Sequence, residues 1–128
     1  MAMQELTVWG VNRPGNLAKI CSALARRKIN IPGFYASDAK GRSAVRLLLK
    51  QANKAKAVLR REGFQAEVTP ALVLNLADRP GALAKAATKL ARDRVNINYG
   101  YTTVSGGAKR ATIVLGVKNP ARARRSLR

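Results

Sequence analysis

The chain has 128 residues, 47% of them apolar, enough for one ordinary domain or two very small ones with a packed core. Lys and Arg number 25 against 6 Asp and Glu, a net charge of +19, so the surface attracts phosphate, anionic lipid or acidic protein whatever the fold beneath it. A single cysteine excludes an internal disulfide framework, and the lack of any histidine removes the commonest general base and zinc ligand.

In chain order, Leu6 to Val11 is rich in β-formers and reads as a strand, broken by Arg13-Pro14-Gly15. A helix follows, with Leu17, Ile20, Cys21 and Leu24 at i, i+3, i+4 and i+7 as its apolar face and Lys19, Arg26 and Arg27 off it; Pro14 suits its first turn. Ile31 to Ser37 reads as a strand, Asp38 to Gly41 as a polar turn and Ser43 to Leu49 as a second, buried strand, together a hairpin. Asn53 to Glu62 is a basic amphipathic helix with Ala55, Val58 and Leu59 inward, Gly63 stops it, and Phe64 to Val68 supplies a fourth strand. The order then restarts: strand Ala71 to Leu76, break at Arg79-Pro80-Gly81, helix to Arg92 with Leu83, Ala86, Ala87 and Leu90 inward, strand Ile97 to Thr103, turn at Ser105-Gly106-Gly107, strand Arg110 to Val117. A last helix opens at Asn119, a suitable N-cap, with Pro120 at its first position.

The restart is a repeat in one register. Each residue of the first copy meets its counterpart 66 positions on, so Arg13, Pro14, Gly15, Leu17 and Leu24 match Arg79, Pro80, Gly81, Leu83 and Leu90. Without a gap the register continues through Asn30 with Asn96, Ile31 with Ile97, Tyr35 with Tyr101 and Asn53 with Asn119. Such a repeat predicts two copies of one structural unit, residues 1–69 and 70–128. The βαββαβ order of the first copy is the split-βαβ, ferredoxin-like arrangement. The expected fold is therefore α+β, two tandem ferredoxin-like units, the second without a counterpart of the Phe64 to Val68 strand.

Catalytic chemistry has little to work with. The six acids, Glu5, Asp38, Glu62, Glu67, Asp78 and Asp93, are scattered, and Cys21 lies on a helix core face with no histidine to activate it, so it reads as a small hydrophobe. Neither G-x-x-x-x-G-K-[ST] nor G-x-G-x-x-G occurs. The strand-to-helix break does place unpaired backbone N–H groups at a helix N-terminus, which favours an anion such as a carboxylate. No cofactor, no metal and no enzymatic activity are expected. No stretch approaches the roughly 18 apolar residues that span a bilayer, and the opening MAMQELTVWG has no signal-peptide pattern, so a cytoplasmic protein is expected.

A strand, then [N/D]-R-P-G-x-L-A-K, then an apolar-faced helix, then Asn30-Ile31 in KINI and Asn96-Ile97 in RVNI, together resemble the ACT domain, and two copies resemble the small stand-alone tandem ACT proteins. The resemblance covers nearly the whole chain. It implies a βαββαβ fold, pairing of units into a homodimer or higher oligomer, and binding of an amino acid or related small metabolite at interfaces between units, with any regulated enzyme a separate chain. The family's ligand rests against the Pro-Gly loop. Carried over residue by residue, the implied site is Asn12, Arg13, Pro14, Gly15, Asn16 and Leu17 with Asn30 and Ile31, and in the second copy Asp78, Arg79, Pro80, Gly81, Ala82 and Leu83 with Asn96 and Ile97. Helix capping by Asn12 and Asp78, and a left-handed turn at Asn30 and Asn96, are the structural alternatives for those four residues. Gly10 and Leu76 stand where serine-binding members of the family carry a histidine.

Two other classes compete. RNA-recognition motifs share the βαββαβ order but need aromatic residues on their central strands for bases to stack on, and neither Ser43 to Leu49 nor Arg110 to Val117 contains one. Lys50, Lys54, Lys56, Arg60, Arg61, Lys118, Arg122, Arg124, Arg125 and Arg128 leave sequence-independent binding of nucleic acid as an alternative. A dimerisation module without a ligand is the third reading, with Tyr35, Tyr99 and Tyr101 as interface aromatics.

Overall fold

Leu6 and Val8 alternate with Glu5, Thr7 and Trp9, so the first strand has one apolar and one polar face, and both are used. The structure, a computed structural model, describes residues 2–10, 13–39, 42–103 and 109–128. It divides into two units, Met1–Thr69 and Pro70–Arg128.

In the first unit β1 (Gln4–Trp9), α1 (Asn16–Arg26), β2 (Gly33–Ala39), β3 (Arg42–Leu49), α2 (Ala52–Arg61) and β4 (Gln65–Thr69) build an antiparallel sheet of order β2-β3-β1-β4. Leu6, Val8, Val45, Leu47, Leu49 and Ala66 form one core with Ile20, Ala23 and Leu24 of α1 and Ala55, Val58 and Leu59 of α2. Each fully buried leucine there contributes about 1.5–3 kcal/mol relative to exposure.

The alternate residues carry a chain of hydrogen bonds. Arg46 Nη1 donates to Thr7 Oγ1 at 3.1 Å, the Thr7 and Thr69 hydroxyls lie 2.7 Å apart, and Thr69 Oγ1 donates to Glu5 Oε1 at 2.7 Å. Because the Thr69 proton goes to Glu5, Thr7 is the donor in the middle link. The Glu5 carboxylate is fully buried, with the Arg46 guanidinium 3.6 Å away and stacked over the Trp9 ring at 5.6 Å. Aligned donors of this kind strengthen one another at low local dielectric.

The second unit contains β5 (Leu72–Ala77), α3 (Ala82–Arg92), β6 (Tyr99–Thr103), β7 (Arg110–Gly116) and α4 (Pro120–Ser126), with sheet order β5-β7-β6. Among the described residues no strand lies on the outer edge of β5, the side on which β4 pairs with β1 in the first unit. Leu72, Leu74, Ala86, Leu90, Ile113, Leu115 and Ala123 make its core. Asn119 caps α4, its Oδ1 accepting from the Arg122 N–H at 3.1 Å, and Pro120 is the first helical residue. The fold is α+β, two ferredoxin-like units in tandem.

Four local expectations change. Pro14 lies outside its helix: α1 starts at Asn16 after an N-cap Gly15 with φ +87°, and Gly81 does the same before α3 with φ +88°. The left-handed turn, which costs an L-residue about 1–2 kcal/mol, is what demands glycine there. Leu17 and Leu83, expected inward, are 40% and 50% exposed, lying in the first turn of their helices and outside the core clusters. Asp38 continues β2, opposite Ser43 of β3. Strand bounds run up to two residues later than predicted at β2, β4, β5 and β6, and up to two earlier at β1, β3 and β7. Val11, Asn12, Lys40, Gly41 and the expected turn at Ser105-Gly106-Gly107 lie outside the described residues.

Both first helices close alike. Lys28 and Arg94 each have φ 57°, and behind them the Ile29 and Val95 N–H groups return to the Leu24 and Leu90 carbonyls. Glycine is the usual residue at such a left-handed position.

Candidate ligand-binding site

Arg13 and Gly15, just ahead of α1, lie at the far end of the β2–β3 hairpin. Trp9 is level with Ala44, and Ala44 with Ser37, so the chain leaving β1 arrives where β2 ends and β3 begins. A cavity of about 300 Å³ lies there, lined by Arg13, Gly15, Leu17, Ala36 to Asp38 and Ser43 to Val45. Ser43 Oγ donates to Asp38 Oδ1 at 3.0 Å, fixing the carboxylate in the wall.

Chemically this cavity suits a zwitterion. The first-turn N–H groups of α1 have no carbonyl one turn back to bond, and with Arg13 beside them they favour a carboxylate. Asp38 accepts from an ammonium group, and Leu17, Ala36 and Val45 offer apolar surface. The Asn16 N–H is used within the turn, donating to the Arg13 carbonyl at 3.1 Å.

Of the residues expected from sequence, Arg13, Gly15 and Leu17 line this cavity; Pro14 and Asn16 are in the same loop, Pro14 exposed and Asn16 half-buried; Asn12 lies outside the described residues. Asn30 and Ile31 precede β2 at the opposite end of the sheet, since Gly33 is level with Leu48 and Glu5. Four strand residues, roughly 13 Å at 3.2–3.4 Å each, separate them from the loop within this unit. In the second unit Asp78, Arg79, Pro80, Gly81 and Leu83 are exposed, Ala82 is half-buried, and the Asp78 N–H donates to the Lys109 carbonyl at 2.7 Å. Asn96 instead lines a cavity of about 320 Å³ with Arg94, Asn98, Lys118, Asn119 and Arg122, beside the exposed Ile97.

Asp38, Ser37 and Ser43 were not anticipated. Asp38 is one of only six acids in a chain of net charge +19, and that scarcity was the available signal; reading Asp38 to Gly41 as a turn concealed it. Cys21 is half-buried, and burial pushes its thiol above the ordinary value, in keeping with a packing role. Thiolate is thereby scarce near neutrality. Iodoacetamide at pH 8 should label Cys21 several-fold more slowly in the folded than in the denatured chain, a difference that mass spectrometry reads directly.

Among the described residues no group of three or more Cys, Asp or Glu is placed to hold a metal ion, and no helix is long and apolar enough to cross a membrane. Residues 1–127 match the family model for an ACT domain pair. Protein BT0572 from Bacteroides thetaiotaomicron is similar in structure, with a TM-score of 0.85 and 24% identity over 98% of this chain and 85% of that one. The regulatory subunit of aspartate kinase from Thermus thermophilus, in a ligand-free form, has a TM-score of 0.73 and 20% identity over 99% and 89% of the two chains. That from Thermus flavus has a TM-score of 0.68 and 20% identity over 99% and 91%. No curated protein matches. At these identities the solved structures speak for the fold, and the family model, spanning both copies of the repeat, for descent: the chain belongs to the ACT domain pair family.

Proposed function

We propose that the protein is a non-catalytic regulatory chain that binds an amino acid or a related zwitterionic metabolite in the cavity beside Arg13, Gly15 and Leu17. The observation that carries this is the meeting of a helix N-terminus with the Asp38 carboxylate across about 300 Å³, the lower end of the usual size for small-molecule sites. Similarity to chains named as regulatory subunits of aspartate kinase supports a role in which the regulated enzyme is a separate polypeptide. The second loop, Asp78 to Leu83, is the repeat's counterpart, with Asn12, Asn30-Ile31 and Asn96-Ile97 as further contacts supplied when units associate. A homodimer in the cytoplasm belongs to the same reading.

A thermal-shift screen against the twenty amino acids tests it. An amino acid present at 100 times its Kd stabilises the folded chain by about 2.7 kcal/mol. Asp38→Asn should weaken binding of that amino acid by at least tenfold while leaving the unliganded melting temperature nearly unchanged. Gly15→Ala should also lower stability itself, by about 1–2 kcal/mol, because φ +87° is strained for alanine although its Cβ would meet nothing within 4 Å. No shift with any amino acid sinks the proposal. The basic cavity at Arg94, Lys118 and Arg122 favours a second reading, sequence-independent nucleic-acid binding. A short RNA or DNA duplex that raises the midpoint at low salt and not at high salt would select it.

A further inference from the structure

We infer that the cavity at Asn96 is an anion site for the phosphate groups of a small phosphorylated molecule, a diphosphate or its ester. All its residues belong to the second unit, and it does not depend on the cavity at Arg13. Asn96 is common to this site and to the amino-acid reading, whereas Arg94, Lys118 and Arg122 belong to this site alone.

Two stretches of chain form it. Arg94, Asn96 and Asn98 lie between α3 and β6, and Lys118, Asn119 and Arg122 lie where β7 passes into α4, around a space of about 320 Å³. They are tied together twice: the Asn98 N–H donates to the Gly116 carbonyl at 2.9 Å, and Arg122 Nη2 donates to the Asp93 carbonyl at 2.6 Å. The second bond holds the guanidinium in place while its remaining N–H groups are left for a ligand. Asn119 Oδ1 accepts from the Arg122 N–H at 3.1 Å, so Asn119 offers its NH2 donors.

The donor set selects the ligand. Three cations and three amides surround the space with Val95, and among the described residues no carboxylate lines it. A zwitterion needs an acceptor for its ammonium group, which Asp38 supplies at the Arg13 cavity and no charged group supplies here. Guanidinium forks match phosphate oxygens in pairs, and lysine adds a point charge. The volume stands at the lower end of small-molecule sites, which run to about 300–1,000 Å³. A nucleic-acid backbone calls instead for positive charge that continues past the site, and beyond Arg122 the adjoining cavity brings in the acid Asp93 beside Arg125 and Ser126.

The repeat shows that this set is particular to the second unit. Lys28, Asn30, Pro32, Ala52, Asn53 and Lys56 stand at the equivalent positions of the first. Both asparagines recur, but the second unit has arginine in place of both lysines, Asn98 in place of Pro32, and Lys118 in place of Ala52, which is buried in the first core. All four differences add donors, where a merely solvated basic surface would vary in either direction. With β4 in place the first unit still leaves Lys28, Asn30 and Asn53 exposed, so the site lies apart from the position of a fourth strand.

The probe is inorganic diphosphate, titrated calorimetrically into the full chain at physiological ionic strength. One saturable site per chain is expected, weakened at least tenfold by Arg122→Gln. Lys118→Ala, which gives the second unit the first unit's residue and breaks none of the bonds above, should weaken it at least fivefold with an unchanged circular dichroism spectrum, and it carries the test if Arg122→Gln does not fold. The pair Lys54→Gln with Arg61→Gln removes two exposed charges from the first unit and should leave the affinity within twofold, which separates a site from general attraction to a basic chain. Lack of binding at millimolar diphosphate, full affinity in Lys118→Ala, or an equal loss in the Lys54 and Arg61 pair would overturn the inference. So would a short DNA duplex that binds and is released by Lys118→Ala while diphosphate does not bind, which would assign the cavity to a nucleic-acid backbone.

Discussion

Arg46→Met should destabilise the first unit by about 3–5 kcal/mol, the range for removing one partner of a buried ion pair. Glu5 is the reason. Its carboxylate is wholly buried, it accepts from Thr69, and the Arg46 guanidinium lies 3.6 Å away and at the head of the hydrogen-bond chain through Thr7. Methionine keeps much of the stem's packing against Trp9 but leaves the anion facing a neutral neighbour and Thr7 without a donor. The double change Glu5→Leu with Arg46→Met should recover most of the loss, because apolar groups of similar volume replace a buried pair at little cost. Urea denaturation of the two single variants and the double variant completes the cycle. A loss below about 1 kcal/mol for Arg46→Met, the value typical of exposed pairs, would mean that solvent reaches Glu5 after all.

Leu90→Ala is the second large effect, expected at about 2–5 kcal/mol for a fully buried leucine. Its counterpart 66 residues earlier, Leu24, is equally buried, so the same substitution is made twice in equivalent positions. Among the described residues the first core cluster has fourteen buried members and the second eight. A cavity therefore removes a larger share of the second unit's apolar contacts, and Leu90→Ala should lie nearer the upper limit. Amide exchange followed by NMR separates the two: in Leu90→Ala the β5 and β7 amides should lose protection before those of β1 and β3, and in Leu24→Ala the order should be reversed.

Much of the fold was legible because the repeat supplies each element twice. Pro14-Gly15 and Pro80-Gly81 mark the same break, and the order of strands and helices follows the alternation and the i, i+3, i+4 spacing. Helix starts were harder to read. Proline is as compatible with the turn before a helix as with its first position, and only the positive φ at Gly15 and Gly81 shows that the helix waits for the glycine. Leu17 and Leu83 keep the spacing of the core stripe but, in the first turn of their helices, fall outside the core clusters and are exposed. At the candidate site the loop was readable as local sequence, but Asp38 and Ser43 reach the cavity through the β2–β3 register, which no short motif encodes. Asn30 follows the loop closely along the chain yet is separated from it by the length of a strand.

Lys28 and Arg94 hold the left-handed conformation at the ends of α1 and α3 in both copies, with glycine in neither. Each is an untapped stabilising position: glycine there relieves backbone strain, partly offset by the freedom it adds to the unfolded chain. Lys28 lines none of the cavities described above, whereas Arg94 lines the one at Asn96. A Lys28→Gly background is thus a sturdier scaffold on which costly variants of the loop can be made while the chain stays folded.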